Sequence, residues 1–136
     1  ANTDLNQAII IETGGMKGRR KELTKEELHS ELMKGLHVPF ISSEYGMCEL
    51  LSQSYSNRAG IFESPSWMKI LIREMNDPFG YIEDGKTGGI NVIDLANLYS
   101  CSFISTQDLG KTTGNQFQLM GRFDNSDVRG CNLLLG

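Results

Sequence analysis

Three short stretches carry residue types at spacings that could do chemistry. "TGG" at 13–15 closes an apolar run, and Gly14 and Gly15 would let a planar ligand come close to the backbone. "EYGMCE" at 44–49 gathers Tyr45, Gly46 and Glu49. There Tyr45 can lie on the face of a ring, Gly46 keeps the turn narrow, and Glu49 offers a carboxylate to a metal ion. "STQDLG" at 105–110 and "GRFDNSD" at 121–127 form the third cluster. Asp108 precedes a glycine turn, placed to accept hydrogen bonds from a sugar diol, and Arg122 leads out of the next strand. A ring clamp, a Mg2+ carboxylate, a diol acceptor and an arginine are what an ATP or AMP site needs. Each stretch alone also reads as an ordinary turn. Their order and spacing together carry the nucleotide reading.

The elements that must hold these residues follow from periodicity. "AIIIET" (8–13) reads as a fully buried strand. "KGRRK" (17–21) is a basic loop, solvated or facing phosphate. Thr24 and Glu27 make a capping box, and Leu28, Leu32 and Leu36 give the apolar stripe of a helix ending at a Gly35 C-cap. His29 and His37 have no partner motif and read as structural. "VPFIS" (38–42) is a second buried strand, and "EYGMCELLSQSY" (44–55) a turn followed by a second helix. Short β-rich runs follow: "AGIFES", "WMKILIREM", "GGINVIDLA", "CSFIST" and "QFQLMG". "NDPFG", "EDGKTGG" and "GKTTGN" supply turns between them. In the second run Met68, Ile70 and Ile72 alternate with Lys69, Leu71 and Arg73, which makes one face apolar. The expected architecture is α+β: a strand–helix–strand–helix unit, then an antiparallel, barrel-like β section.

Composition limits the classes. The 136 residues make a single domain spanning 1–136, with 39% apolar and 22% charged residues, ordinary values for a globular chain. A net charge of −4 argues against a general nucleic-acid binder. No apolar run approaches the roughly 20 residues of a membrane helix, and the polar start "ANTDLNQ" is no signal peptide, so the cytoplasm is the expected compartment. Cys48, Cys101 and Cys131 are too widely spaced for a zinc site and read as free thiols. Cys101, within "YSCSFI", reads as buried. A buried strand so near the first residue implies neighbours not supplied upstream. The chain therefore reads as the C-terminal portion of a larger protein, with strand 8–13 exposing an edge and inviting self-association.

The ordered set "GG" (14–15), "YGMCE" (45–49), "TQD" (106–108) and "GRFD" (121–124) resembles the motifs of the adenylate-forming superfamily. That superfamily holds acyl- and aryl-CoA synthetases, luciferases and nonribosomal adenylation domains. More narrowly, "EYGMCELLSQ", "INVIDLANLYSCSFIST" and "GRFDNSDVRGCNLL" resemble acyl-protein synthetases, which activate long-chain fatty acids for bacterial luciferase systems, and their non-luminous homologues. The resemblance runs from Ile9 to the end. It implies an ATP- and Mg2+-dependent ligase that forms a fatty acyl-adenylate, passes the acyl group to a protein cysteine and hands it to a fatty acyl reductase. It also implies that Tyr45 packs on adenine, Glu49 binds Mg2+, Asp108 holds the ribose hydroxyls and Arg122 reaches the ribose or phosphate. Cys131, near the C-terminus in "VRGCNLLLG", then takes the place of the acyl acceptor. Arg129 two residues away favours its thiolate, although "CNLLL" also reads as a final edge strand.

Four departures from the family pattern stand out. Cys48 replaces the usual threonine beside the phosphates, and "NSDVRG" is one residue short before the expected lysine register. Neither the Ser/Thr/Gly-rich phosphate loop nor the small C-terminal domain lies within these residues, so the chain alone is expected to be inactive. Two other readings stand beside this one: an aryl- or acyl-CoA ligase that uses coenzyme A, and a non-catalytic β-rich interaction module.

Overall fold

Two residues start the helix as the sequence implies. The Glu27 amide donates to Thr24 Oγ1 at 3.2 Å, and the Thr24 amide donates to Glu27 Oε2 at 2.9 Å. In this computed structural model, which describes residues 5, 8–14, 23–58 and 60–123, that box opens α1 (Lys25–Leu36). The helix ends two residues later than expected. Gly35 stays helical and His37 takes the left-handed cap, at φ 57° and ψ 40°, donating its amide to Met33. Leu28 and Leu32 are half-buried, whereas Leu36 is exposed.

Eight strands form one sheet, in the order β1-β2-β3-β4-β8-β7-β6-β5. They are β1 (Ile11–Glu12), β2 (Ser42–Tyr45), β3 (Ser54–Arg58), β4 (Ile61–Glu63), β5 (Met68–Arg73), β6 (Gly88–Asp94), β7 (Phe103–Thr113) and β8 (Gln116–Arg122). Only β1 and β2 pair in parallel; every other named pairing is antiparallel. The fold class α+β holds, but a barrel is not supported: among the described residues β1 and β5 are the two edges of an open sheet. The β5 alternation is as read, with Met68, Ile70 and Ile72 buried and Lys69 exposed. These residues join Tyr45, Leu50, Phe62, Ile90, Val92 and Phe117 in one core.

Several boundaries differ from the sequence reading for identifiable reasons. The strand expected at 38–42 lies at Ser42–Tyr45, although Val38 and Ile41 are buried as expected. "GKTTGN" is a turn only at its end. Residues 110–113 complete β7 past an irregularity at Leu109/Gly110, and Gly114 (φ 61°) turns the hairpin. The second helix is absent, and β3 occupies its C-terminal part. The backbone groups that such a helix would bond internally are bonded elsewhere: the Leu51 and Ser52 amides donate to Asp94 Oδ2, and Asn97 Nδ2 donates to the Glu49 carbonyl.

The first strand is shallower than expected. It covers two residues and, among the described residues, is paired on one side only, with Ile9 76% and Ile11 42% exposed. Its free edge offers unpaired backbone groups to another strand. We expect the 136-residue chain to self-associate as its concentration rises, and Ile11→Lys to weaken that association. Sedimentation velocity over a concentration series checks this; a monomer throughout removes the edge as a docking strand.

Candidate functional site

The antiparallel register of β7 and β8 sets Asp108 opposite Arg122, and β2 delivers Tyr45 to the same place. Arg122 Nε lies 3.2 Å from Asp108 Oδ1, and the Tyr45 hydroxyl donates to Asp108 Oδ2 at 3.1 Å. Residues from three separate sequence motifs thus meet at one carboxylate. Asp108 stands inside β7, not at a strand end ahead of a turn. Its backbone is fixed by its own amide donating to Thr106 Oγ1 at 3.1 Å, while the Thr106 hydroxyl donates to the Ile90 carbonyl at 2.9 Å. Arg122 is largely exposed, so its ion pair adds little stability and leaves the guanidinium free to meet a ligand.

Tyr45 differs from its expected part. Its ring is 5% exposed and stands edge-on to Phe62 and Phe117, with centroids 6.2 and 5.3 Å away. The ring faces are core, and the hydroxyl alone reaches the site. Burial, then the Asp108 charge and hydrogen bond, push the phenol's pKa far up, against smaller opposing effects of Thr106 and Arg122. Tyr45 is therefore neutral at physiological pH and acts as a fixed donor.

Beyond Tyr45 the chain enters the turn holding Cys48 and Glu49, both exposed. Gly46 begins it; a Cβ there would stand 3.2 Å from Gln53 Cγ and 3.3 Å from Glu44 Oε1, so the turn has little room for a side chain. A single carboxylate such as Glu49 suits Mg2+ when phosphate oxygens and water complete an octahedron. No cluster of three acidic, His or Cys side chains exists among the described residues to form an all-protein cage. Gly14 donates its amide to Glu12 Oε1 at 2.9 Å, with open space where a Cβ would be. Gly15, "KGRRK" and Cys131 lie outside the described residues. Cys101 is exposed, not buried, because its run lies between the β6–β7 connection and the outer end of β7; its Sγ donates to the Phe103 carbonyl at 3.1 Å.

Sequence reasoning passed over Asp94. It has no exposed surface, yet it accepts from Leu51 N (3.0 Å), Ser52 N (2.9 Å), Ser52 Oγ (2.7 Å) and Ala96 N (3.1 Å). The signal was present in "DLAN", an aspartate at the N-cap of a single 3-10 turn, Leu95–Asn97. Burial alone would raise its pKa, but the bonds from Ser52, Leu51 and Ala96 outweigh it and the net shift is downward. Asp84 is lowered too, by the Thr112 hydroxyl and then the Gly114 amide. A carboxylate lowered in the fold contributes stability above its unfolded value, about 3.9, and loses it as pH falls through the folded value. We therefore expect melting temperature to drop as pH falls below about 4, with a shallower drop in Asp94→Asn, which has no such proton to take up. Thermal melts of both proteins across this range check it; parallel curves would remove Asp94 as a source.

An open cleft of about 670 Å³ is lined by Leu51, Ser52, Tyr55, Pro65, Trp67 and Ala96 among others. It shares no lining residue with the Tyr45–Asp108–Arg122 cluster.

The fold is similar to that of MatB from Rhodopseudomonas palustris. Its ATP-bound crystal structure matches with a TM-score of 0.57 and 15% identity over 84% of this chain and 25% of that one. The apo form matches with a TM-score of 0.57 and 16% identity over 86% and 26%. An ATP-bound chimera of MatB, RpMatB-BxBclM B3, gives 0.57 and 15% over 84% and 25%. The chain spans about a quarter of the length of these structures. No family model matches the chain, and no curated protein matches it. No helix among the described residues is long and apolar enough to cross a membrane.

Proposed function

We propose that this chain supplies the adenosine-holding part of an ATP-dependent acid–thiol ligase that activates a long-chain fatty acid as its acyl-adenylate. The observation that carries this reading is the convergence of Tyr45 and Arg122 on Asp108. An ionised carboxylate has about four lone-pair sites. Asp108 can therefore accept from both ribose hydroxyls while Tyr45 and Arg122 hold its orientation. Arg122, mostly exposed, is free to lean toward the ribose or α-phosphate. The fold likeness to ATP-bound MatB supports the same class.

In the first step the acid's carboxylate oxygen attacks the α-phosphorus, an acyl–phosphate bond forms, and pyrophosphate leaves. In the second a thiolate attacks the acyl carbonyl, a thioester forms, and AMP leaves with the electron pair of the broken bond. Glu49 would hold Mg2+, which supplies charge neutralisation on the phosphates. Cys48 puts a weak thiol donor where a hydroxyl would otherwise meet phosphate, so Cys48→Thr should match or exceed the wild type. The thiol acceptor is a cysteine of the protein, Cys131, and a fatty acyl reductase is the partner that consumes the thioester. Coenzyme A as acceptor is the second reading, with which the fold likeness to ATP-bound MatB is equally consistent.

The deciding experiment is carboxylate-dependent exchange of labelled pyrophosphate into ATP by the full-length protein, across fatty acids and short or aromatic acids. Exchange with long-chain acids is the expected result. No exchange with any acid would sink the reading in favour of a non-catalytic β-rich interaction module.

A further inference from the structure

The turn bearing Cys48 and Glu49 has no regular structure of its own, and its apolar spacing would suit a helix. What stops it from becoming one is a pair of side chains from the end of β6 and the 3-10 turn that follows. Asp94 takes the Leu51 and Ser52 amides and the Ser52 hydroxyl. Asn97, 5% exposed, donates Nδ2 to the Glu49 carbonyl at 2.7 Å and to the Cys101 carbonyl at 3.0 Å. Trp67 Nε1 adds a bond to Ser52 Oγ at 2.9 Å. Burying a charge is costly unless it is fully bonded. All four donors to Asp94 lie either on this turn or on the 3-10 turn that carries Asn97. Together, the fully buried Asp94 carboxylate and Asn97 therefore fix the backbone from the carbonyl of the exposed Glu49 through Ser52.

We infer that Asp94 and Asn97 are positioning residues for the metal–triphosphate end of the nucleotide site, acting through the backbone of Glu49. This rests on the adenylate-forming reading above. Neither residue touches the ligand: Asp108 and Arg122 handle the adenosine end, and the clamp sets where the Glu49 carboxylate meets phosphate-bound Mg2+. Outer-shell partners of a metal ligand typically change metal affinity 10–100-fold when replaced. The loss should consequently fall on Mg2+–ATP and not on AMP.

The test is calorimetric titration of the full-length protein, as wild type, Asp94→Asn and Asn97→Ser, with AMP and with Mg2+–ATP. The expected result is AMP affinity unchanged and Mg2+–ATP affinity down by about tenfold or more in each variant. Hydrogen exchange should quicken at Leu51 and Ser52 while β7 and β8 keep their protection. Equal losses for both nucleotides would mean a general structural role and overturn the inference, as would no loss for either. If Asp94→Asn does not fold, Asn97→Ser, which leaves the buried carboxylate bonded, carries the same test. A wild type that binds neither nucleotide sinks the adenylate-forming reading and this inference with it. A wild type that binds both, with unaffected variants, sinks the clamp alone.

Discussion

Asp108→Ala should raise the full-length protein's KM for ATP by about 100-fold or more and leave its KM for the acid unchanged. Asp108 is the only acceptor between the Tyr45 hydroxyl and the Arg122 guanidinium in this cluster, and its two oxygens serve one partner each. Hydrogen bonds to a charged group are each worth roughly 1.5–3 kcal/mol. Losing two of them to a ribose diol costs at least about 3 kcal/mol, or a little over two decades in affinity. The alanine also leaves the Tyr45 hydroxyl without its Asp108 acceptor, which distinguishes it from Asp108→Asn. The amide keeps an oxygen for Tyr45 and should lose less. The measurement is ATP–pyrophosphate exchange against ATP concentration for both variants. Wild-type KM for ATP in Asp108→Ala would show that Asp108 does not hold the ribose, wherever else the nucleotide binds.

That Asp108 could be singled out from sequence, with its Tyr45 partner 63 residues away, reflects what sequence records well. Local rules fixed by a few neighbouring residues come through: the Thr24–Glu27 box and the alternation of Met68, Ile70 and Ile72 are realised as read. Tyr45, Asp108 and Arg122 meet because β2, β7 and β8 are brought together by the sheet order, which no local pattern encodes. The same sheet order hides what failed. The Tyr45 ring reads as free in the sequence because its neighbours Phe62 and Phe117 come from β4 and β8. The stretch after Gly46 has helical spacing, yet Asp94, far along the chain, captures its amides; local propensity yields to tertiary bonds. A sheet edge and a closed barrel share the same period of two, so closure could not be read from the strand runs. The length of β7 was hidden likewise, since Gly110, which marks a pairing irregularity, reads locally as a turn.

On the acyl-protein reading proposed above, Cys131→Ser is expected to have an all-or-none effect, because it would remove the atom proposed to bear the acyl group. Incubation of the full-length protein with labelled fatty acid and ATP should leave a hydroxylamine-labile label on the wild type and none on Cys131→Ser. ATP–pyrophosphate exchange should persist in the variant, since adenylate formation precedes the thiol. Cys131 lies outside the described residues; the cation of Arg129, two residues away in sequence, favours a thiolate. The structure makes this test sharper, because the other two cysteines are both exposed. Cys101 donates to the Phe103 carbonyl and is engaged as a thiol. Cys48 adjoins Glu49 on the turn held by Asn97 and so stands near where phosphate would lie. A label that survives Cys131→Ser but disappears in Cys48→Ser would move the acceptor to Cys48. Thioester formed only when coenzyme A is added, and recovered as a small molecule, would leave Cys131 without a catalytic part. It would decide for the CoA-ligase reading while keeping Asp108 and Glu49 in their roles, since both thiol acceptors draw on the same acyl-adenylate.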